Sequence, residues 1–155
     1  MSTIAYRDGI LAADSMAYGG KYTASPGLKW KIWRLDNGDR LGVSSVVPGA
    51  GEAVRDWLNG KLEREHVPTD MVAIMIKGRD QLYVASGTLQ FSGPIESEFY
   101  AIGGGADFAI GAMHQGADAA EAIRCAIAHD QHTGGEVRVL TDEVLQLEHA
   151  GERAA

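Results

Sequence analysis

Apolar positions in the first part of the chain come in short runs broken by turn residues. Thr3, Ile4, Ala5 and Tyr6 precede Asp8-Gly9, a hairpin turn signal, and the run Ile10-Leu11-Ala12-Ala13 follows and ends at Asp14. This predicts a tight hairpin that holds the amino terminus inside a sheet, where chain ends otherwise fray. Ser15 to Leu28, rich in Gly, Ser, Tyr and Pro, reads as an excursion with little regular structure. A strand over Lys29 to Leu35 puts Lys29, Lys31, Trp33 and Leu35 on one face and Trp30, Ile32 and Arg34 on the other, so lysine stands beside bulky apolar neighbours. After the turn Asp36-Asn37-Gly38-Asp39, Arg40 to Val47 reads as the partner strand of a second hairpin.

Pro48-Gly49-Ala50-Gly51 breaks that strand, and the period then changes. Val54, Trp57, Leu58 and Leu62 fall at helical spacing within Glu52 to Glu65, which predicts an amphipathic helix. Strands are predicted at Met71–Ile76, Gln81–Ser86, Leu89–Phe91 and Phe99–Ile102, the last ending at Gly103-Gly104-Gly105. Helices follow at about Asp107–Gln115 and Ala117–His129, the second with a small-residue face of Ala119, Ala122, Ile123, Ala126 and Ile127. Val137–Leu140 and Glu143–Leu147 read as a closing hairpin. The strands are joined by hairpin turns rather than crossover helices, which predicts an α+β fold of antiparallel sheets covered by helices. Two such sheets face to face, with the helices outside, make a four-layer sandwich. Residues 2–150 form one domain in this reading, with a loose tail at 151–155.

Composition narrows the class. Hydrophobic residues at 45% and charged residues at 23% are ordinary globular values, and 155 residues can bury one core. The net charge of −7, without a basic stripe, argues against nucleic acid or an anionic membrane as partner. A single cysteine, Cys125, excludes an internal disulfide framework, and no apolar run has the length of a signal sequence or a membrane span. A cytoplasmic setting is the expectation.

One mechanism unites several features. A small residue after Met1 permits removal of the methionine, so Ser2 can begin the mature chain with a hydroxyl and a free amine on one residue. The α-amine, with an unperturbed pKa of about 7.7–8, suits a general base at neutral pH. A nearby lysine ammonium favours its neutral form, and an aspartate holds the lysine in place. Lys31 and Asp14 are of the right types.

Ser-Thr-Ile-Ala at the start, Leu-Ala-Ala-Asp ending at Asp14, Lys31-Ile-Trp-Arg-Leu, Ala-Ile-Gly-Gly-Gly from Ala101, and Asp130-Gln-His-Thr133-Gly-Gly resemble, in order, the landmarks of proteasome β-type subunits. In size and spacing the chain is similar to the bacterial HslV peptidases, and the resemblance runs from Ser2 to about Leu147. It implies the N-terminal nucleophile hydrolase fold, an αββα sandwich, with stacked rings that enclose the active sites. It implies hydrolysis of peptide bonds in unfolded polypeptides through an ester acyl-enzyme. Ser2 would be nucleophile and base, Lys31 the tuning cation, Asp14 its partner, and Asp130 and Thr133 the accessory pair, followed by Gly134 and Gly135. Backbone donors for the oxyanion are expected between Ser44 and Gly49, with Ser44, Ser45 and Gly49 as candidates. A homo-oligomeric ring or double ring and a separate ring ATPase are the implied partners, and no cofactor or metal is implied.

Three departures stand out. Ser2 replaces the usual Thr, which frees the hydroxyl's rotamer. Ser44-Ser45-Val46-Val47-Pro48-Gly49 replaces a shorter glycine-rich segment. Gly104 stands where the family commonly has a serine supporting the nucleophile's amine. These departures keep two rival readings open: a ring-forming assembly protein with weak or no catalysis, and an amidase of the same fold acting on small amides.

Several features have plainer readings. His129 and His132 are read as solvated histidines at a helix end, Cys125 as a buried small hydrophobe, and Gly103 to Gly105 as a strand-to-helix turn. Trp30, Trp33 and Trp57 are read as core or subunit contacts.

Overall fold

The computed structural model describes residues 2–18 and 24–142. Two four-stranded antiparallel sheets dominate it. The first has the order β10-β2-β1-β9, from β1 (Thr3–Arg7), β2 (Ile10–Ala13), β9 (Phe99–Gly103) and β10 (Arg138–Leu140). The second has the order β5-β6-β7-β8, from β5 (Ile32–Arg34), β6 (Arg40–Ser44), β7 (Val72–Lys77) and β8 (Gln81–Ser86). A two-stranded ribbon of β3 (Met16–Tyr18) and β4 (Ala24–Leu28) occupies the segment expected to lack regular structure. Strand pairing supplies the backbone hydrogen bonds that its composition did not signal.

β1 lies in the interior of the first sheet, paired with β2 on one side and β9 on the other. Asp8 and Gly9, with φ of 51° and 78°, form the tight turn to β2, because positive φ at both central residues matches the twist of the strands. Alternation along β1 then divides its side chains. Ile4 and Tyr6 enter an apolar cluster drawn from both sheets, with Leu11, Ile32, Ile74, Ile76 and Ile102. Ala5 enters a cluster with α2 (Ala106–His114) and α3 (Ala119–His129), through Ala109, Met113, Ala122 and Ile123. A third cluster joins Leu41, Val43, Ala73 and Met75 of the second sheet to Val54 of α1 (Ala50–Leu58).

β6 faces β1 with alternate residues. The Arg40 guanidinium donates to the turn carbonyls of Gly9, Gly78 and Arg79, tying a hairpin of each sheet to the other. A Cβ on Gly42 would stand 2.9 Å from Ile4 Cγ2, so the absence of a side chain lets the sheets approach. Ser44 completes the row and reaches Ser2.

Element ends moved where caps intervene. The helix expected over Glu52 to Glu65 stops at Leu58, and a 3₁₀ turn at Arg64–His66 follows Gly60, whose φ is 75°. α3 starts at Ala119 because Asp118 forms a capping box with Glu121, accepting its backbone N–H at 2.8 Å. Leu89–Phe91 is not a strand: Leu89 has φ of 59°, and only the bridge from Val84 to Ser92 remains of that pairing. The expected strand at Glu143–Leu147 and the tail at 151–155 lie outside the described residues. No described helix is long and apolar enough to cross a membrane.

Candidate active site

Ser2, directly before β1, contacts β6 of the second sheet and the segment that follows β9 of the first. Ser2 is buried, its carbonyl accepts the Gly104 N–H at 3.2 Å and the Ser44 hydroxyl at 3.0 Å, and its N–H donates to Ser44 Oγ at 3.4 Å. Gly103 makes this approach possible. A Cβ there would lie 1.6 Å from the Ser2 carbonyl oxygen, and the residue's φ of 99° is one that side chains disfavour. Gly105 allows a second approach, since its Cβ would meet Thr3 Oγ1 at 2.7 Å and Thr133 Oγ1 at 3.0 Å.

Asp14, at the end of β2, is a buried acceptor with several donors. Thr3 N–H donates to Oδ1 at 3.0 Å, Gly134 N–H to Oδ2 at 3.1 Å, and Lys31 Nζ to both oxygens at 3.1 and 3.0 Å. The lysine side chain is 3% exposed and the aspartate fully enclosed, a placement that ionised groups adopt when paired and hydrogen-bonded. Burial pushes the Lys31 ammonium below the ordinary lysine pKa, opposed by the charge and hydrogen bonds of Asp14. Lys31 directly precedes β5, so the first sheet supplies the carboxylate and the second the cation.

Ser2 and Lys31 line one small recess of about 40 Å³, together with Trp33, Val43, Ser45 and Gly49. Gly49 sits at the start of α1 with φ of 81°, and the Ser45 hydroxyl accepts Val47 N–H at 3.0 Å and donates to the Asp70 carbonyl. The Ser44 side chain points instead to the backbone of Ser2. At the mouth, Lys29 pairs with Glu52 of α1 at 3.2 Å.

Asp130 and Thr133 assemble around Thr3. Thr133 Oγ1 donates to Asp130 Oδ2 and lies 2.7 Å from Thr3 Oγ1, which also accepts Gly105 N–H at 2.8 Å. The reason is the strand alternation: Thr3 shares the helix-facing side of β1 with Ala5, and Asp130 ends α3. Two hydroxyl contacts lacked a sequence signal, although Ser44 itself is among the oxyanion candidates. The Thr3 hydroxyl is visible only once its strand face is known, and the Ser44 hydroxyl only once β6 is seen across from β1.

Solved structures share the fold. Thiobacillus denitrificans BPH in complex with epoxomicin superposes with a TM-score of 0.66 at 18% identity, covering 90% of this chain and 96% of that one. Eukaryotic HslV from Trypanosoma brucei gives 0.63 at 16% identity, over 89% and 97%. The chain has the fold of HslV-type peptidases. A second structure of Thiobacillus denitrificans BPH gives 0.60 at 18% identity, over 90% and 95%. No protein-family model and no curated protein matches the sequence.

Among the described residues no group of three or more His, Cys, Asp or Glu side chains could hold a metal ion. His129 stacks on Phe108, Trp30 is exposed with Arg138 over its ring at 4.2 Å, and Cys125 is half-buried rather than enclosed.

Proposed function

We propose that the chain is a proteasome-like peptidase subunit, an N-terminal nucleophile hydrolase of four-layer αββα build, which cleaves peptide bonds of unfolded polypeptides with Ser2 after removal of Met1. The observation that carries this reading is the buried Lys31, paired with Asp14, on the recess that Ser2 also lines. A buried lysine held by one carboxylate beside a chain terminus has a direct chemical use. It places positive charge near the α-amine and so favours the neutral, proton-accepting amine.

The neutral amine takes the Ser2 hydroxyl proton as Oγ bonds to the substrate carbonyl carbon and the C=O electron pair moves to oxygen. Collapse of this oxyanion expels the amine half of the substrate, which leaves with the proton held by the Ser2 ammonium. An ester remains on Oγ. Water then attacks that ester by the same route, giving its proton to the α-amine, and the acid half departs as Oγ regains a hydrogen. Backbone N–H groups at Ser45 and Gly49, residues that line the recess together with Ser2, serve as the donors to the oxyanion in this reading. Asp130 and Thr133 act through Thr3 as positioning groups for the strand that carries the nucleophile.

Likeness in fold to HslV, a ring assembly, supports a homo-oligomeric ring or double ring served by a separate ring ATPase in the cytoplasm. Turnover by wild type and Ser2→Ala tests the chemistry. On a permanently unfolded polypeptide the variant is expected to fall by about a thousandfold, and equal rates would overturn the assignment. Turnover of small amides alone would identify an amidase, and rings without turnover an assembly protein.

A further inference from the structure

The geometry points to Ser44 as the positioning residue for the Ser2 α-amine, a role that rests on the peptidase reading given above. Among the described contacts, the Ser44 hydroxyl is the side-chain group that hydrogen-bonds Ser2 N. It touches both ends of the residue's backbone. Its proton goes to the Ser2 carbonyl at 3.0 Å, so its lone pairs face Ser2 N at 3.4 Å. The hydroxyl is thus oriented as an acceptor for the amine, and Ser44 itself is buried.

This arrangement has a consequence for a free amine. A neutral amine carries two hydrogens and one lone pair, and engaging one hydrogen restricts where the lone pair can point. Orientation of that lone pair toward the Ser2 hydroxyl decides how readily the proton moves. Gly104, on the other side of the terminus, offers only its backbone N–H, and that is spent on the Ser2 carbonyl at 3.2 Å. Control of the amine therefore falls to the second sheet. The strand pattern of β6 serves this end: Arg40 fixes its start to the hairpin turns, Gly42 sets the spacing against Ile4, and Ser44 arrives opposite Ser2.

An acceptor on the amine also favours its protonated form, opposite in direction to the Lys31 charge. Removing the hydroxyl should lower the amine's pKa while loosening its orientation. Both effects are measurable in the mature protein. Competitive acetylation of the Ser2 amine as a function of pH, read by mass spectrometry of the N-terminal peptide, gives the pKa without any need for turnover. In Ser44→Ala the pKa is expected to drop, the acid limb of kcat/KM to move to lower pH with it, and the plateau kcat to fall about ten- to a hundredfold. Ser44→Thr, which keeps the hydroxyl, is expected to restore all three. An unchanged amine pKa in Ser44→Ala overturns the role of Ser44. A lowered pKa in a protein whose wild type hydrolyses nothing supports the contact and overturns the peptidase reading instead.

Discussion

Exchanging Lys31 for alanine is expected to lower the unfolding free energy by about 3–5 kcal/mol, because it leaves a buried carboxylate without its cation. Asp14 would keep the Thr3 and Gly134 N–H donors, and these hold its geometry without balancing its charge. Chemical denaturation of the variant against wild type measures the loss. A value under about 1 kcal/mol, the range of solvent-exposed ion pairs, would show that the pair is hydrated rather than enclosed. Hydrolysis should disappear together with the charge, even under conditions where the variant stays folded.

The same lysine sets an alkaline dependence. Its folded pKa lies below the unfolded value of 10.5 because burial disfavours the ammonium. Between the folded pKa and 10.5 the unfolded chain binds more protons, so this group makes stability rise with pH across that window. Tyr6 acts oppositely, since burial raises its pKa above 10.0 and stability is lost as pH climbs past the unfolded value. In the alkaline range activity has one direction only. The alkaline limb of kcat/KM should fall at a pH below that of an ordinary lysine.

Gly103→Ala is the second large effect. The added Cβ would sit 1.6 Å from the Ser2 carbonyl oxygen and 2.7 Å from its carbon, and both neighbours are backbone atoms that cannot turn aside. Either β9 or the terminus must move. The positive φ alone costs about 1–3 kcal/mol for a residue with a side chain, and the displaced Ser2 would lose its bonds to Gly104 and Ser44. Ser2 is expected to become readily labelled and the protein inactive. An active Gly103→Ala variant with a protected terminus would mean that the chain start lies elsewhere.

The antiparallel sheets and three helices were legible in the residues, because Asp8-Gly9 and the apolar runs around it specify a hairpin locally. The pairing of Asp14 with Lys31 was legible as a pair of residue types, and their distance was not, since the two sit on different sheets. Lys31 itself was expected within a strand and stands just before one. The ribbon of β3 and β4 escaped because its composition is that of a loop, and pairing partners are not written in composition. Leu89–Phe91 misled in the other direction: its apolar residues pack in the cluster under α1 rather than extend a sheet. The Ser44 contact depends on which face of β6 meets β1, a tertiary fact with no local trace.

Everything catalytic proposed for Ser2 requires a free amine on that residue, and the mass of the intact purified chain reports this directly. The predicted mass is that of a chain that begins at Ser2, unmodified. A retained Met1, or an acetyl group on Ser2, would contradict it.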